Sequence, residues 1–541
     1  MQKPQHTTTS QKSNHTEHRI HSHAASLKVF IVFFVLFGAQ ASAWLVGVPL
    51  LSASDEPAHI MTAAADARLE LRKPRATGDT LPTTEVVVPR TFALTQAESY
   101  CYALSSQPIN CQLNRNDCKA QWRQGILPCS TSLEGGSIII KTRTYTGDYP
   151  PLYYFFTGLP TLLSSRPGVI YAMRAVSALM GVAFIAIAAY AIYKYASSTL
   201  MLAGLSLSLS PVVLYMVSVV NPSGLEVSSA LCLWVVGLLA TRESFEVFPR
   251  LLGLFACLSA SVLVLSRADG LEWALIIVAI LALMSVTKQY KSLLINRNAL
   301  TLIGVWVAAC LVALVWNIHQ HASVVLPGQL YPQGTSPFAI TRSVLGASFI
   351  YISQMIGLLG WNNAPVPFVT TLIWYAGIGS TSLLALSALS KKTIRSVGGF
   401  ISLGIVIALI PIVYTIIYAH TYGDILQGRY LLPGAVGIAI VGSIIASPML
   451  SNVRAVTRTI VALVAIGNIA AYSGVLRRYS VGLSAFDVFK KQAMIWKSPL
   501  PVSLLIVLFL LVNLCSVFWY WKMADSIQMR LPKTNRLADE K

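Results

Sequence analysis

The polar chemistry of this chain is concentrated in five short clusters, each at an end of a long apolar run. They are Ser54-Asp55-Glu56-Pro57-Ala58-His59, Tyr149-Pro150-Pro151-Leu152-Tyr153-Tyr154, Asn221-Pro222-Ser223-Gly224-Leu225-Glu226, Ser266-Arg267-Ala268-Asp269-Gly270-Leu271-Glu272, and Tyr422-Gly423-Asp424-Ile425-Leu426-Gln427-Gly428-Arg429-Tyr430. Carboxylates and guanidinium groups at membrane depth are costly, so their presence marks a functional site by default. Arg429 follows Gln427-Gly428 at the mouth of an apolar span and is placed to grip a phosphate, whose oxygens a guanidinium matches with two parallel hydrogen bonds. Arg267 is a second candidate for that task. Asp55, Glu56, Glu226, Asp269 and Asp424 supply carboxylates for proton transfer or for a divalent cation, but no spacing among them fixes a metal site. His59 lies four residues after Asp55 and shares its helix face.

Each cluster also has a plainer reading. Ser54-Asp55-Glu56-Pro57 is a good helix start, so Asp55 could serve only as an N-cap. Pro150-Pro151 could only fix a turn, and Tyr153 and Tyr154 could only belong to an interfacial aromatic belt. Asn221-Pro222-Ser223-Gly224 is an ordinary inter-helix turn, although Glu226 beside it would begin a span, where a carboxylate needs a reason. Arg267 and Asp269 could pair with each other for structure alone.

The elements that must position these groups are membrane spans. Of 541 residues, 55% are hydrophobic and 11% charged, against about a quarter charged in an average soluble domain. The sequence predicts an all-α polytopic membrane protein with twelve spans, near 29–51, 170–193, 199–220, 225–241, 251–267, 271–287, 300–318, 367–390, 397–419, 430–448, 456–475 and 500–521. The net charge of +19 does not point to nucleic acid, because basic residues flank the apolar runs. Lys194, then Arg242 and Arg250, then Lys288, Lys291 and Arg297, then Lys391, Lys392 and Arg395, then Arg454 and Arg458 fall in loops on one side. By the positive-inside rule that side is cytoplasmic, both termini share it, and the five clusters lie on the outer face. Arg477, Arg478, Lys490, Lys491 and Lys497 break this register, so 476–499 is expected on the membrane surface or one late boundary is displaced. Within 319–366, the interrupted apolar stretch 340–359 is expected to lie at the interface or to re-enter the membrane.

Residues 1–28 and 522–541 are expected to be cytoplasmic tails, and 29–521 the membrane domain, including a large first outer loop at 52–169. Ala41-Ser42-Ala43 resembles a signal cleavage site, but the long apolar run is read as an uncleaved first span. The N-terminal histidines read as part of a disordered tail rather than a metal site. Cys101, Cys111, Cys118 and Cys129 all fall in the outer loop and are expected to form two structural disulfides, with three pairings open. Their spacing does not match the close ligand pairs of a zinc site.

Four motifs in order resemble the bacterial DUF2142 family of predicted membrane proteins, which looks like a branch of the GT-C glycosyltransferase superfamily: Asp55-Glu56-Pro57-Ala58-His59, Pro150-Pro151-Leu152-Tyr153-Tyr154, Asn221-Pro222-Ser223-Gly224-Leu225-Glu226 and Gln427-Gly428-Arg429-Tyr430-Leu431-Leu432-Pro433. The resemblance spans roughly residues 45 to 450 and departs at Ser223, where the family pattern has an acidic residue. It implies transfer of a sugar from a polyprenyl-phosphate carrier to a cell-envelope glycan or protein on the outer face of the bacterial plasma membrane. By that likeness Asp55 and Glu56 are the catalytic residues, with Asp55 as general base. His59, Tyr153, Tyr154, Asn221, Glu226, Arg267, Asp269, Gln427, Arg429 and Tyr430 line the substrate site. A divalent cation is an open cofactor, since some GT-C members use one and others do not.

Two rival classes remain. A transporter or flippase of lipid-linked sugars would suit twelve spans with both termini inside, but no internal repeat is visible and the polar groups crowd one face rather than the bilayer centre. A non-catalytic envelope-assembly protein would be favoured if Asp55 pointed away from Arg429.

Overall fold

The computed structural model describes residues 23–76, 83–95, 135–242, 248–285, 296–320, 330–391, 393–481, 496 and 498–529. Cys101, Cys111, Cys118 and Cys129, and with them the expected disulfides, lie outside these residues.

The chain opens with α1 (His23–Gly47), followed by a tight turn and α2 (Glu56–Asp66). Two residues of that turn, Leu51 and Asp55, take left-handed φ angles of 68° and 62°. β1 (Thr84–Pro89), α3 (Arg90–Ala93), β2 (Ile139–Thr144), α4 (Pro151–Gly158) and α5 (Pro160–Leu163) complete the first extramembrane segment. β1 and β2 pair antiparallel from Thr84↔Thr144 to Pro89↔Ile139. Every residue of α2 is buried, and α4 crosses it at Gly158, where a Cβ would collide with the Ala63 carbonyl.

The membrane body continues through α6 (Val169–Tyr195), α7 (Leu200–Ser208), α8 (Pro211–Val217), α9 (Pro222–Arg242), α10 (Arg250–Ser266), α11 (Gly270–Met284) and α12 (Arg297–Gln320). Two short helices, α13 (Pro337–Gly346) and α14 (Ser348–Ile356), lead into a hairpin of β3 (Leu358–Leu359) and β4 (Ala364–Pro365). This is the stretch expected at the interface or re-entrant, and it adds no full crossing. Then come α15 (Phe368–Ser387), α16 (Ile394–Tyr418), α17 (Leu432–Ala446), α18 (Val453–Val481) and α19 (Val502–Gln528), with 3-10 turns at Gly428–Leu431 and Ser447–Met449 extending α17.

The count of twelve crossings is supported in part. Among the described residues nine helices are long and apolar enough to span a bilayer, or ten if α7 and α8 form one broken span. The expected span at 199–220 is bent by 64°. Pro211 cannot continue the α7 hydrogen-bond ladder, and Ser210 instead caps α8 by accepting from the Val213 amide at 3.4 Å. The expected spans at 251–267 and 271–287 are α10 and α11, of 17 and 15 residues, near the lower end of the roughly 17–25 residues that cross a bilayer. α18 also runs past its expected end and carries Arg477 and Arg478 in its last turns.

The core is built around α9, buried along almost its whole length and packed against α6, α10, α11 and α17. Trp234 of α9 donates to the Pro433 carbonyl at 2.9 Å, and its indole lies against Gly437, where a Cβ would collide with it. Lipid-facing helices show the reverse pattern: α12 buries only Ala299 and Ala313 and exposes a belt of Leu, Val and Ile, as a hydrocarbon solvent permits. The start of α9, the end of α10, the start of α11 and the end of α12 share one face. Asn317 of α12 donates to the Ala268 carbonyl at 3.0 Å, and Arg267 reaches Ser223 and Glu226.

Candidate active site

Asp55 occupies the N-cap position of α2, yet its side chain makes no capping hydrogen bond. Its carboxylate is directed elsewhere. Tyr145, just beyond β2, donates to Oδ1 at 2.7 Å, and Arg429 donates through Nη2 to Oδ2. Left-handed backbone is uncommon for a residue with a side chain, although Asp tolerates it better than most. Here it aims the carboxylate toward a residue 374 positions away. Burial pushes the Asp55 carboxyl pKa up, but the charge of Arg429 and the hydrogen bonds from Tyr145 and Arg429 outweigh it and hold the group below the usual carboxylate value.

Arg429 sits in the 3-10 turn before α17. The turn is pressed onto α14: the Gly428 amide donates to Gln354 at 2.6 Å, and a Cβ at Gly428 would collide with the Tyr351 carbonyl. Tyr351 also donates to Asp424 at 3.2 Å. The Arg429 guanidinium lies 5.0 Å from the Tyr430 ring centroid, and Nη2 reaches the Tyr430 hydroxyl at 3.1 Å. Its Nε and Nη1 are buried without a hydrogen-bond partner among the described residues. Such groups are expensive to leave unmet, so this side of the guanidinium is prepared for an acceptor. The Gln427 Oε1 atom is likewise buried and unpartnered.

Arg267 lies near the same Tyr430 ring and brings α9 and α11 together. It donates through Nη1 to Ser223 at 2.9 Å and to Glu226 at 3.1 Å, and its guanidinium lies 4.7 Å from the Tyr430 ring centroid and 6.0 Å from that of Tyr149. Asp269 Oδ1 lies 3.3 Å from Nε, close enough for charge attraction but without hydrogen-bond alignment. The position departing from the family pattern, Ser223, therefore serves as a hydroxyl partner of Arg267. His59 Nδ1 and the Tyr154 hydroxyl are 2.8 Å apart. Burial lowers the His59 pKa to about 3, with Asp55 opposing the shift and Arg429 and Arg267 reinforcing it, so His59 is neutral at physiological pH.

The remaining candidates face inward, away from this group. Glu56 is fully buried: Oε1 accepts from Arg174 Nε at 2.6 Å and the Val220 amide at 3.1 Å, and Oε2 accepts from Arg174 Nη2 at 2.6 Å and the Leu51 amide at 2.9 Å. Arg174 also donates to the carbonyls of Leu45, Val48 and Pro49, tying the end of α1 to the Asp55 turn. Tyr153 donates to Ser177 at 2.9 Å, and Asn221 donates to the Ser54 carbonyl at 3.1 Å.

Tyr145 and Arg174 were not singled out by the sequence, and Tyr149 was named only as the first residue of its cluster. Arg174 carried a usable signal, a lone arginine inside an apolar span; Tyr145 carried none. Asp55 is bonded to Arg429, Glu226 and Asp269 are paired with Arg267, and among the described residues no set of three or more His, Cys, Asp and Glu side chains could hold a metal.

No curated protein matches the sequence. In structure the chain is similar to ArnT from Cupriavidus metallidurans in the apo state, with a TM-score of 0.35 and 12% identity over 71% of this chain and 67% of that one. The model of the DUF2142 family, described as predicted membrane proteins, matches residues 36–438. The chain belongs to the DUF2142 family.

Proposed function

We propose that this protein is a membrane glycosyltransferase of the GT-C type that moves a sugar from a polyprenyl-phosphate-linked donor to a hydroxyl of a cell-envelope acceptor on the outer side of the plasma membrane. The observation that carries this reading is the contact between Asp55 and Arg429, with two buried guanidinium N–H groups left open beside it. A base and an oxyanion clamp within one contact are what a single displacement at a sugar carbon needs.

In this reading the donor phosphate takes the Nε–H and Nη1–H of Arg429 and draws the guanidinium off Asp55. The freed Oδ2 accepts the proton of the acceptor hydroxyl while Tyr145 holds Oδ1. The acceptor oxygen forms the new bond to the sugar carbon, the bond from that carbon to the phosphate oxygen breaks, and its electron pair stays on the leaving polyprenyl phosphate, stabilised by Arg429. Separation from Arg429 also makes Asp55 a stronger base, because the ion pair favours the ionised carboxylate. Donor binding thereby activates the base. Tyr149, Tyr154, His59 and Tyr430 supply aromatic and hydrogen-bonding surface for sugar rings, and Arg267 with Glu226 and Asp269 braces the opposite wall. Glu56, with every oxygen already doubly bonded to donors, positions Asp55 through the turn rather than sharing proton transfer.

A flippase would draw on the break between α7 and α8. The break is buried, however, and Ser208 and Ser210 tie it to α17 and α14 by donating to the Val436 and Met355 carbonyls, each at 2.8 Å. Proteoliposomes containing the protein, a lipid-linked sugar and an envelope-glycan acceptor separate the two readings. Transfer gives a new glycosidic bond and free polyprenyl phosphate; movement of intact donor between leaflets with no new bond would refute the enzyme reading.

A further inference from the structure

The helices that present the candidate site also enclose a slot at their opposite ends. Between α9, α10, α11 and α12 lies a cavity of about 500 Å³. Small side chains line it, among them Gly237, Ala240, Gly253 and Ala256, together with Leu233 and Trp306. The polar lining residues gather at one end: Thr241 closes α9, Arg250 opens α10, and Asn296 and Asn298 flank the start of α12. Along α10 the lining runs from Arg250 to Ala260, a depth of about 15 Å at the helical rise. That matches about half of the hydrocarbon core, or one leaflet.

Charge identifies the class of occupant. None of the described lining residues is acidic, Arg250 is exposed at the mouth, and Arg297, also exposed, stands between Asn296 and Asn298. A slot with an apolar depth, a hydrogen-bonding rim and a cationic mouth suits a lipid with an acidic head group, and basic pockets between membrane helices on the cytoplasmic side are used this way. The donor lipid is a poor match, because its phosphate belongs at Arg429. Arg267, beside that site, follows the far end of α10, about 25 Å from Arg250 for a helix of 17 residues.

We infer that this slot binds an acyl chain of an anionic glycerophospholipid from the leaflet opposite the candidate site, with Arg250 holding the lipid phosphate. Only the exclusion of the donor lipid rests on the proposed transfer reaction. It is tested on the full-length protein in detergent, titrated with phosphatidylglycerol and phosphatidylcholine and read by native mass spectrometry. Phosphatidylglycerol should be retained in preference to phosphatidylcholine. Arg250→Gln should weaken that retention roughly fivefold, and Ala256→Phe, which fills the slot, should remove it. Equal retention of the two lipids would overturn the inference, as would phosphatidylglycerol retention indifferent to Arg250→Gln. Displacement of the bound lipid by a short-chain polyprenyl phosphate would also overturn it, since the slot would then be a donor site. Arg250 is exposed, so its replacement leaves folding intact and keeps the test decisive even if Ala256→Phe does not fold.

Discussion

If Asp55 and the donor phosphate compete for Arg429, then removing the base should improve binding of the phosphate. Asp55→Asn exchanges a charge-assisted contact for a neutral one. Hydrogen bonds to charged groups contribute about 1.5–3 kcal/mol. The pair is only partly shielded, with Asp55 retaining 20% side-chain exposure, so the lower end applies and corresponds to roughly tenfold in affinity. Short-chain polyprenyl phosphate, titrated into the purified protein by calorimetry, should therefore bind Asp55→Asn about tenfold more tightly than wild type, although that variant has lost its base. Simple repulsion between the carboxylate and the phosphate would give the same sign, and a double-mutant cycle separates the two causes. Arg429→Gln alone should weaken binding by at least about tenfold, since a bidentate charged contact is lost. In that background Asp55→Asn should change little, because nothing remains to compete for. Tightening that persists without Arg429 would refute the competition. Weaker binding in Asp55→Asn would refute the whole arrangement of base and clamp.

Other residues carry distinct signatures. Tyr145→Phe removes a hydrogen bond that favours the ionised form of Asp55, so the Asp55 pKa rises and the acid limb of the pH–rate profile should move to higher pH, with substrate affinity little changed. Glu56→Gln breaks a fully buried ion pair with Arg174 and should destabilise the protein by about 3–5 kcal/mol, read as a lower thermal unfolding temperature in detergent. Gly428→Ala puts a methyl group against the Tyr351 carbonyl. It should cost about 1–3 kcal/mol of stability and weaken polyprenyl phosphate binding by displacing Arg429 from its turn.

The convergence of the site was legible in the sequence because polar residues at the ends of apolar runs have few permitted places. Asp55, Arg267, Glu226, Asp269 and Arg429 were each costly where they stood, and the structure joins Asp55 to Arg429 across 374 residues. What the sequence did not show was which way each side chain turns. Asp55 and Glu56 are adjacent, yet the left-handed backbone at Asp55 sends one carboxylate to Arg429 and the helix start sends the other to Arg174. Tyr145 was invisible because a tyrosine after a short strand has no periodic pattern to mark it. Hydropathy could not see the local geometry of the spans: Pro211 breaks one apolar run, and α10 and α11 end after 17 and 15 residues. The outer-loop cysteines add nothing to this comparison, since they fall outside the described residues.

In the proposed mechanism Asp55 takes the acceptor proton during sugar transfer. Its most direct test is turnover in proteoliposomes supplied with polyprenyl-phosphate-linked sugar and acceptor, comparing wild type with Asp55→Asn at matched amounts of inserted protein. Loss of a general base costs roughly a hundred- to ten-thousandfold. The account predicts a drop of that size in glycosidic bond formation and in release of polyprenyl phosphate, with insertion unchanged. Turnover at the wild-type rate in Asp55→Asn would contradict it.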